Sequence, residues 1–335
     1  MKYKNVIATK RGGPEVFQIV EEDLRDPSSG EVRVKVLAAP VCLPDVQARY
    51  GQSPFAPKTP FVPGYAVIGV VDAAGSEKRA SNHGAACFSV GDRVAALTVY
   101  GGYAEYIYLD KEQLIPVPAG VDPAEAAILV LNYIVAYQSL HRSARVKAGD
   151  KVLIIGASGG IGTAFLQLGR LAGLKMYGLA SANKHPILLE YGATPIDYRT
   201  QDFVEVIRQS EPDGLDAVFD GMGGDYFRRG LSVLRKGGIY VEYGNPLSFP
   251  ALLRLLGKTI LFNLLPNGKT AKLYGTSTSR FGRRPYMEDW AALFKLLAEG
   301  KIKPVIEHKY TILEAAQANA RLESGQVVGN IVLLG

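Results

Sequence analysis

Cysteine, histidine and tryptophan are scarce in this 335-residue chain, which holds two, four and one of them. Two cysteines, Cys42 and Cys87, cannot build a disulfide framework, so the fold must rest on a packed core, and a reducing, cytoplasmic setting is expected. No run reaches the roughly 18 uncharged apolar residues of a membrane span, and the opening MKYKNVIATKRGGPEV lacks the apolar stretch of a secretory signal. Basic blocks are missing too: Lys and Arg are scattered and the net charge is +6. A nucleic-acid surface would want a basic stripe interleaved with aromatics. A mild positive bias suits a small phosphate-rich ligand instead. No internal repeat and no low-complexity tract is present.

What the chain does have is 47% hydrophobic residues and room for two domains. Residues 1–122 read as short strands between turns, with EVRVKVLAA alternating charged and apolar positions at period two. Asp122 is an expected helix N-cap, with Pro123 in the first helical position. From there to about residue 265, helical and β-branched segments alternate: KVLIIG, GTAFLQLGRLAG, KMYGLAS, HPILLEYGA, PIDY, DFVEVIRQS, DAVFDG, YFRRGLSVLRKGG, IYVEYG. That rhythm predicts an α/β domain with a doubly wound parallel sheet over 123–265. Residues 266–335 return to the first block, with Met287, Trp290, Phe294 and Leu297 on one helical face and a capping box at Thr311 and Glu314.

KVLIIGASGGIGTAFLQLG places Gly156, Gly159 and Gly162 between a buried strand and a helix. Glycine lets the backbone turn sharply and approach a pyrophosphate, and the helix start offers free N–H groups to the anion. Inside a repeated β-α series this predicts a dinucleotide site on Ser158, Gly159, Gly160 and Ile161. A carboxylate for the ribose 2′-hydroxyl is missing from GLASANKH (178–185). Ser181 and Lys184 stand there, with Tyr198 and Arg199 after the next strand, so NADPH is expected rather than NADH. FDGMGG and VEYGN end two further strands, which adds Gly221, Met222, Tyr243 and Gly244 to the expected cofactor lining.

With GGPEV, GEVRVKVLAA, PFVPGYAVIGVVDAAG, VGDRVAAL, GGYAEYI, ASGGIGTAFLQLGR, IDYRTQDF and GNIVLL in that order, the chain resembles the medium-chain dehydrogenase/reductase superfamily over nearly its whole length. ASGGIG and GGYAEY resemble its zinc-independent quinone oxidoreductase branch. The resemblance implies a Rossmann sheet joined to a GroES-like β-barrel catalytic domain, a cofactor set that includes Asn330, and a homodimer. Zinc-dependent members hold the metal through a Cys, a His followed by Glu, and a later Cys or Asp. Here Cys42 falls at the first place, while Tyr65 and Ala66 occupy the second. Two cysteines also exclude a four-Cys structural zinc lobe, and HGAAC (83–87) offers only two ligands, so no metal is expected. Relatives carry Asn at the place of Cys42; a proton-donating Tyr of enoyl reductases falls at Ser53, and a nicotinamide-touching Thr at Val135.

Without a metal, conjugated acceptors are the accessible substrates. Hydride goes to the β-carbon of an enone or to a quinone, and the protein supplies orientation, a hydrogen-bond donor and a proton. Tyr65 and Tyr50 are the candidate donors, with Asn132 and Tyr133 behind them, and Cys42 is a wall residue or nucleophile. NPLSFPALLRLLGKTILFNLLPNGKTAKLYG (245–275) is apolar enough for a substrate lid, a dimer contact or a membrane contact. With TSRFGRRPY (278–286) it points to a bulky apolar substrate. Two rival readings are a specialised natural-product reductase or cyclase, and an NADPH-binding adaptor without turnover.

Overall fold

The computed structural model describes residues 1–76, 88–244, 246–276 and 283–335. HGAAC and the start of TSRFGRRPY (278–282) therefore lie outside the described residues. The chain opens with an antiparallel hairpin of β1 (Lys2–Ala8) and β2 (Phe17–Asp23). In β3 (Glu31–Val41) the period-two pattern buries Val32, Val34 and Val36. Helix α1 (Leu43–Tyr50) starts from Cys42 and stops at Gly51, whose φ of 73° is the left-handed stop that glycine adopts freely. β4 (Ala66–Ala74), β5 (Arg93–Leu97), β6 (Tyr106–Asp110) and β7 (Ile115–Pro116) follow. The Asp122 carboxylate caps the next helix by accepting from the N–H groups of Ala124 and Glu125. That helical run begins with α2 (Pro123–Ile128) and continues through α3 (Ile134–Gln138).

Strand and helix then alternate: β8 (Lys151–Ile155), α4 (Gly160–Leu171), β9 (Lys175–Ala180), α5 (His185–Glu190), β10 (Thr194–Asp197) and α6 (Phe203–Ser210). Next come β11 (Leu215–Asp220), α7 (Tyr226–Ser232), β12 (Leu234–Glu242), α8 (Phe249–Leu264) and β13 (Thr270–Leu273). The helix expected over YFRRGLSVLRKGG is shorter than that stretch. It ends at Ser232 because Leu234 already pairs with Leu215 in the sheet. The chain closes with α9 (Arg283–Ala298), β14 (Ile306–Thr311), α10 (Ala315–Glu323) and β15 (Asn330–Leu334).

Two compact units result. One takes Met1–Leu131 and Thr278–Gly335, the other Asn132–Ser277. In the first, a sheet of order β14-β15-β3-β4-β5-β7, with β6 also on β3, surrounds a core of Val34, Val67, Val94, Tyr103, Ile331 and their neighbours. In the second, six parallel strands run β10-β9-β8-β11-β12-β13. Counted from β8 this is the order 3-2-1-4-5-6 of a doubly wound Rossmann sheet, whose connections reverse between β8 and β11. The sheet runs past the expected boundary at 265, to Leu273, because β13 pairs with β12 through Ile239–Thr270 and Glu242–Leu273.

Candidate functional site

The glycine turn is built for close approach. Gly156 leaves β8 at φ 81°, and Gly159 caps α4 with no side chain bonded to the helix start. The first turn of this twelve-residue helix therefore presents backbone N–H groups that no side chain caps among the described residues. A Cβ at Gly162 would collide with the carbonyls of Gly156 and Ala157, whereas one at Gly159 would meet only the Gly156 oxygen, 3.6 Å away. Gly162 is thus needed for packing α4 onto the turn, and the space above Gly159 stays open.

Past β9 the chain turns through Ser181, which is buried and donates its hydroxyl to Asn183 Oδ1 at 2.7 Å. Lys184 precedes α5, and Tyr198 follows β10 with 47% of its surface exposed and Arg199 stacked against it at 5.8 Å. The carboxylate at this end of β10, Asp197, accepts from the Arg199 N–H and the Thr200 hydroxyl, so it is turned to its own loop. Ser181 and Lys184 thus follow β9, and Tyr198 and Arg199 follow its neighbour β10.

The third and fourth strand ends form one interlocked turn. Asp220, wholly buried, accepts from the N–H groups of Met222 (2.7 Å) and Gly223 (3.1 Å) through Oδ1, and from the Tyr240 hydroxyl through Oδ2. Gly221 lies against the Tyr243 ring, where a Cβ would come within 2.6 Å of it. The Tyr243 hydroxyl points back to the Ile155 carbonyl at 3.4 Å, and its ring packs on Phe165. Met222 is 66% exposed, with its sulfur over the glycine turn, 3.9 Å from where a Cβ on Gly156 would be. Beside Asp220 in register lies Glu242, buried, with Oε2 unpaired. Burial, then the charge of Asp220, raise its pKa to about 7 against the opposing pull of Lys258.

Ser158, Gly159, Gly160, Ile161, Ser181, Lys184, Tyr198, Gly221, Met222, Tyr243 and Gly244 all fall in the parallel-sheet unit, and Asn330 does not. Asn330 opens β15, buried, and donates its Nδ2 to the Val305 carbonyl at 2.9 Å.

Cys42, Tyr50 and Tyr65 belong to the first unit. Asp45, which sequence reading did not single out, organises two of them. It is buried, and it accepts from the N–H groups of Cys42 and Gly64, both at 3.0 Å, from the Tyr103 hydroxyl at 3.2 Å, and from the Tyr65 N–H. Burial nevertheless raises its pKa to about 7. The Tyr65 carbonyl accepts from the N–H groups of Thr98 and Val99, so the segment that carries the phenol is fixed from both sides. Cys42 is buried, and burial followed by the charge of Asp45 pushes its thiol well above the ordinary value, against any nucleophilic use. Tyr50 is 40% exposed at the end of α1, with its hydroxyl donated to Glu323 on α10 at 2.9 Å.

The signals for the missed acids were local. Asp45 stands three residues after an N-cap, Asp220 closes a buried strand, and Glu242 is a lone charge in the apolar run IYVEY.

Comparison with known proteins gives this arrangement its relatives. The alcohol dehydrogenase GroES-like domain family matches residues 28–119 and the zinc-binding dehydrogenase family matches 191–333. A synaptic vesicle membrane protein VAT-1 homolog of Danio rerio is 30% identical over 350 residues, covering 99% of this chain and 70% of that protein. The chain belongs to the medium-chain dehydrogenase/reductase superfamily, in its quinone oxidoreductase-like branch. A quinone oxidoreductase of Pongo abelii is 29% identical over 330 residues, covering 96% of the chain and 95% of its own length. The Escherichia coli quinone oxidoreductase, solved with NADPH, superposes with a TM-score of 0.84 at 26% identity, covering 99% of this chain and 100% of that one. As a medium-chain reductase the protein is an oxidoreductase whose cofactor is NADPH, which agrees with strand ends that carry hydroxyls and cations and no free acid.

Proposed function

We propose that this medium-chain reductase reduces quinones or α,β-unsaturated carbonyl compounds without a metal. The observation that carries the reading is the state of Asp45. Its carboxylate is occupied by three backbone N–H groups and the Tyr103 hydroxyl, with a buried thiol beside it and a phenol at position 65. Among the described residues no three His, Cys, Asp or Glu side chains gather around a common point. Side chains in that state do not fit a tetrahedral zinc site, which needs three free N, S or O ligands. A substrate oxygen must then be polarised by a hydrogen-bond donor, which suits acceptors whose conjugation spreads the incoming charge.

NADPH, when bound, supplies the hydride. Ser158 to Ile161 would hold its pyrophosphate, Ser181, Lys184 and Tyr198 its 2′-phosphate, and Gly221, Met222, Tyr243 and Gly244 its nicotinamide half. The Tyr65 hydroxyl is the donor proposed for the substrate oxygen, on a backbone that Asp45, Thr98 and Val99 fix. β13, which ends the parallel sheet, offers its outer edge for the homodimer that the resemblance implies, and light scattering would then return twice 36.1 kDa.

NADPH oxidation with a panel of benzoquinones and enones, before and after dialysis against a chelator, tests the reading. Turnover should be unchanged by chelation, and Tyr65→Phe should lower kcat by about 10²-fold while leaving NADPH affinity in place. Activity that is lost to the chelator and restored by zinc would overturn it. Turnover confined to one bulky apolar substrate would favour a specialised reductase.

A further inference from the structure

The turn that joins β11 to α7 has little of its own to fix its shape. Gly221–Gly224 carries one side chain, Met222, and Gly223 and Gly224 both sit in the left-handed region, at φ 67° and 65°. Glycine has the most backbone freedom to lose there, so the turn needs support from outside itself. Asp220 gives part of it, taking the N–H groups of Met222 and Gly223 on one oxygen and the Tyr240 hydroxyl on the other. Glu242 gives the rest. It is the register partner of Asp220 on β12. Its Oε1 lies 2.8 Å from where a Cβ on Gly223 would stand, so the carboxyl packs against the bare Cα of that glycine.

Glu242 is 6% exposed, and its Oε2 has no hydrogen-bond partner among the described residues. A charged carboxylate is costly in that position, whereas a protonated one is tolerated. The groups that face it come from three elements. Asp220 on β11 opposes its ionisation, and Lys258 on α8 favours it but is outweighed by burial and Asp220. Tyr240, on β12 itself, donates its hydroxyl to Asp220; burial and that acid push its phenol far up, so it stays protonated. On the other side β13 sets the apolar Leu273 in register with Glu242. Two adjacent buried acids in such surroundings hold one proton between them near neutrality.

We propose that Glu242 is a positioning residue for the cofactor: protonated, it braces the Gly221–Gly224 turn, and its ionisation loosens the grip of that turn on NADPH. The inference rests on the reading that this turn lines the nicotinamide half of the site. When the proton leaves, two carboxylates lie side by side away from water. Repulsion then turns Glu242 from Gly223 toward Lys258, or draws a proton onto Asp220. The first removes the support, and the second exchanges two charge-assisted bonds to the turn for weaker neutral ones. The folded-state pKa of Glu242 is raised to about 7, so the brace is complete in mildly acidic solution and is lost as pH rises through neutrality. NADPH brings further negative charge, which opposes the ionisation, so binding and protonation reinforce each other.

Two readouts test the brace and its link to the cofactor separately. The chain has four methionines, so methyl NMR of the nucleotide-free protein, with Met222 assigned through Met222→Leu, follows the turn directly. The Met222 methyl should shift with pH through a midpoint of about 7 in the wild type. It should stay flat in Glu242→Gln, whose amide imitates the protonated acid at every pH. Lys258→Gln should move the midpoint up, because a cation that favours the charged form is gone. NADPH affinity is then measured by fluorescence titration as the ratio of wild type to Glu242→Gln, which cancels the titration of the 2′-phosphate itself. That ratio should fall about tenfold between about pH 6 and about pH 8.5. A Met222 methyl that titrates alike in both proteins, or in neither, would overturn the brace. A methyl that titrates as expected beside an affinity ratio indifferent to pH would overturn the link to NADPH, and with it the reading of this turn as cofactor lining.

Discussion

Glu242 closes β12 as a carboxylate with an unpaired oxygen, in register with the equally buried Asp220. Its pKa of about 7 lies above the ordinary glutamate value, so the folded protein holds a proton that the unfolded chain has already lost. Protons bound by the folded state exceed those bound by the unfolded state between about pH 4.5 and 7, so stability falls as pH rises through that window and levels off above it. Asp45, also raised to about 7 by burial, adds a slope of the same sign. Glu242→Gln should remove part of the slope, raising the melting temperature at pH 8 and changing it little at pH 5. Melting curves from pH 5 to 8 check this; an unchanged slope would mean that Glu242 does not titrate in that range. Tyr65 belongs to the same scale. Its identity was plain in PFVPGYAVIG, but the acid that fixes it lies 20 residues earlier, and no local pattern connects the two.

At the scale of elements, the turn after β9 is the proposed place of the cofactor choice. Ser181 occupies the strand end where a carboxylate would accept from a ribose hydroxyl, and Asp197 on the neighbouring strand is engaged by its own loop. Ser181→Asp should repel a 2′-phosphate and supply the missing acceptor. NADPH affinity should fall tenfold or more while NADH gains relative to it, as fluorescence titration with both nucleotides would report; an unchanged preference would place the 2′-phosphate elsewhere. The elements themselves were readable wherever period and punctuation agreed, as at Asp122 with Pro123, Gly156 to Gly162, and Thr311 with Glu314. The end of α7 was misplaced because VLRKGG has no apolar period of its own, and only the pairing of Leu234 with Leu215 makes it strand.

For the whole molecule, the division into two units has a thermal consequence. A ligand held by the folded state adds about 2.7 kcal/mol at a hundred times its Kd, enough to raise a domain's melting temperature by several degrees. NADPH should raise the transition of the parallel-sheet unit in calorimetry, and NADH at equal concentration should raise it less. A melting profile indifferent to both nucleotides would contradict a cofactor site on that unit's glycine turn. The units also explain which candidate residues the fold groups together. Eleven of the twelve expected cofactor residues share one sheet edge, whereas Asn330 sits in the other unit beside the Val305 carbonyl.

The sequence by itself determined the β-rich block, the alternating sheet, the glycine turn and the absence of an acid after β9, because each is written in residues close together along the chain. The tertiary structure alone decided that Asp45 binds the Tyr65 segment and that Asp220 and Glu242 lie side by side. Those facts depend on strand register and on which side of a helix meets the core, and both are set by residues far apart in the chain.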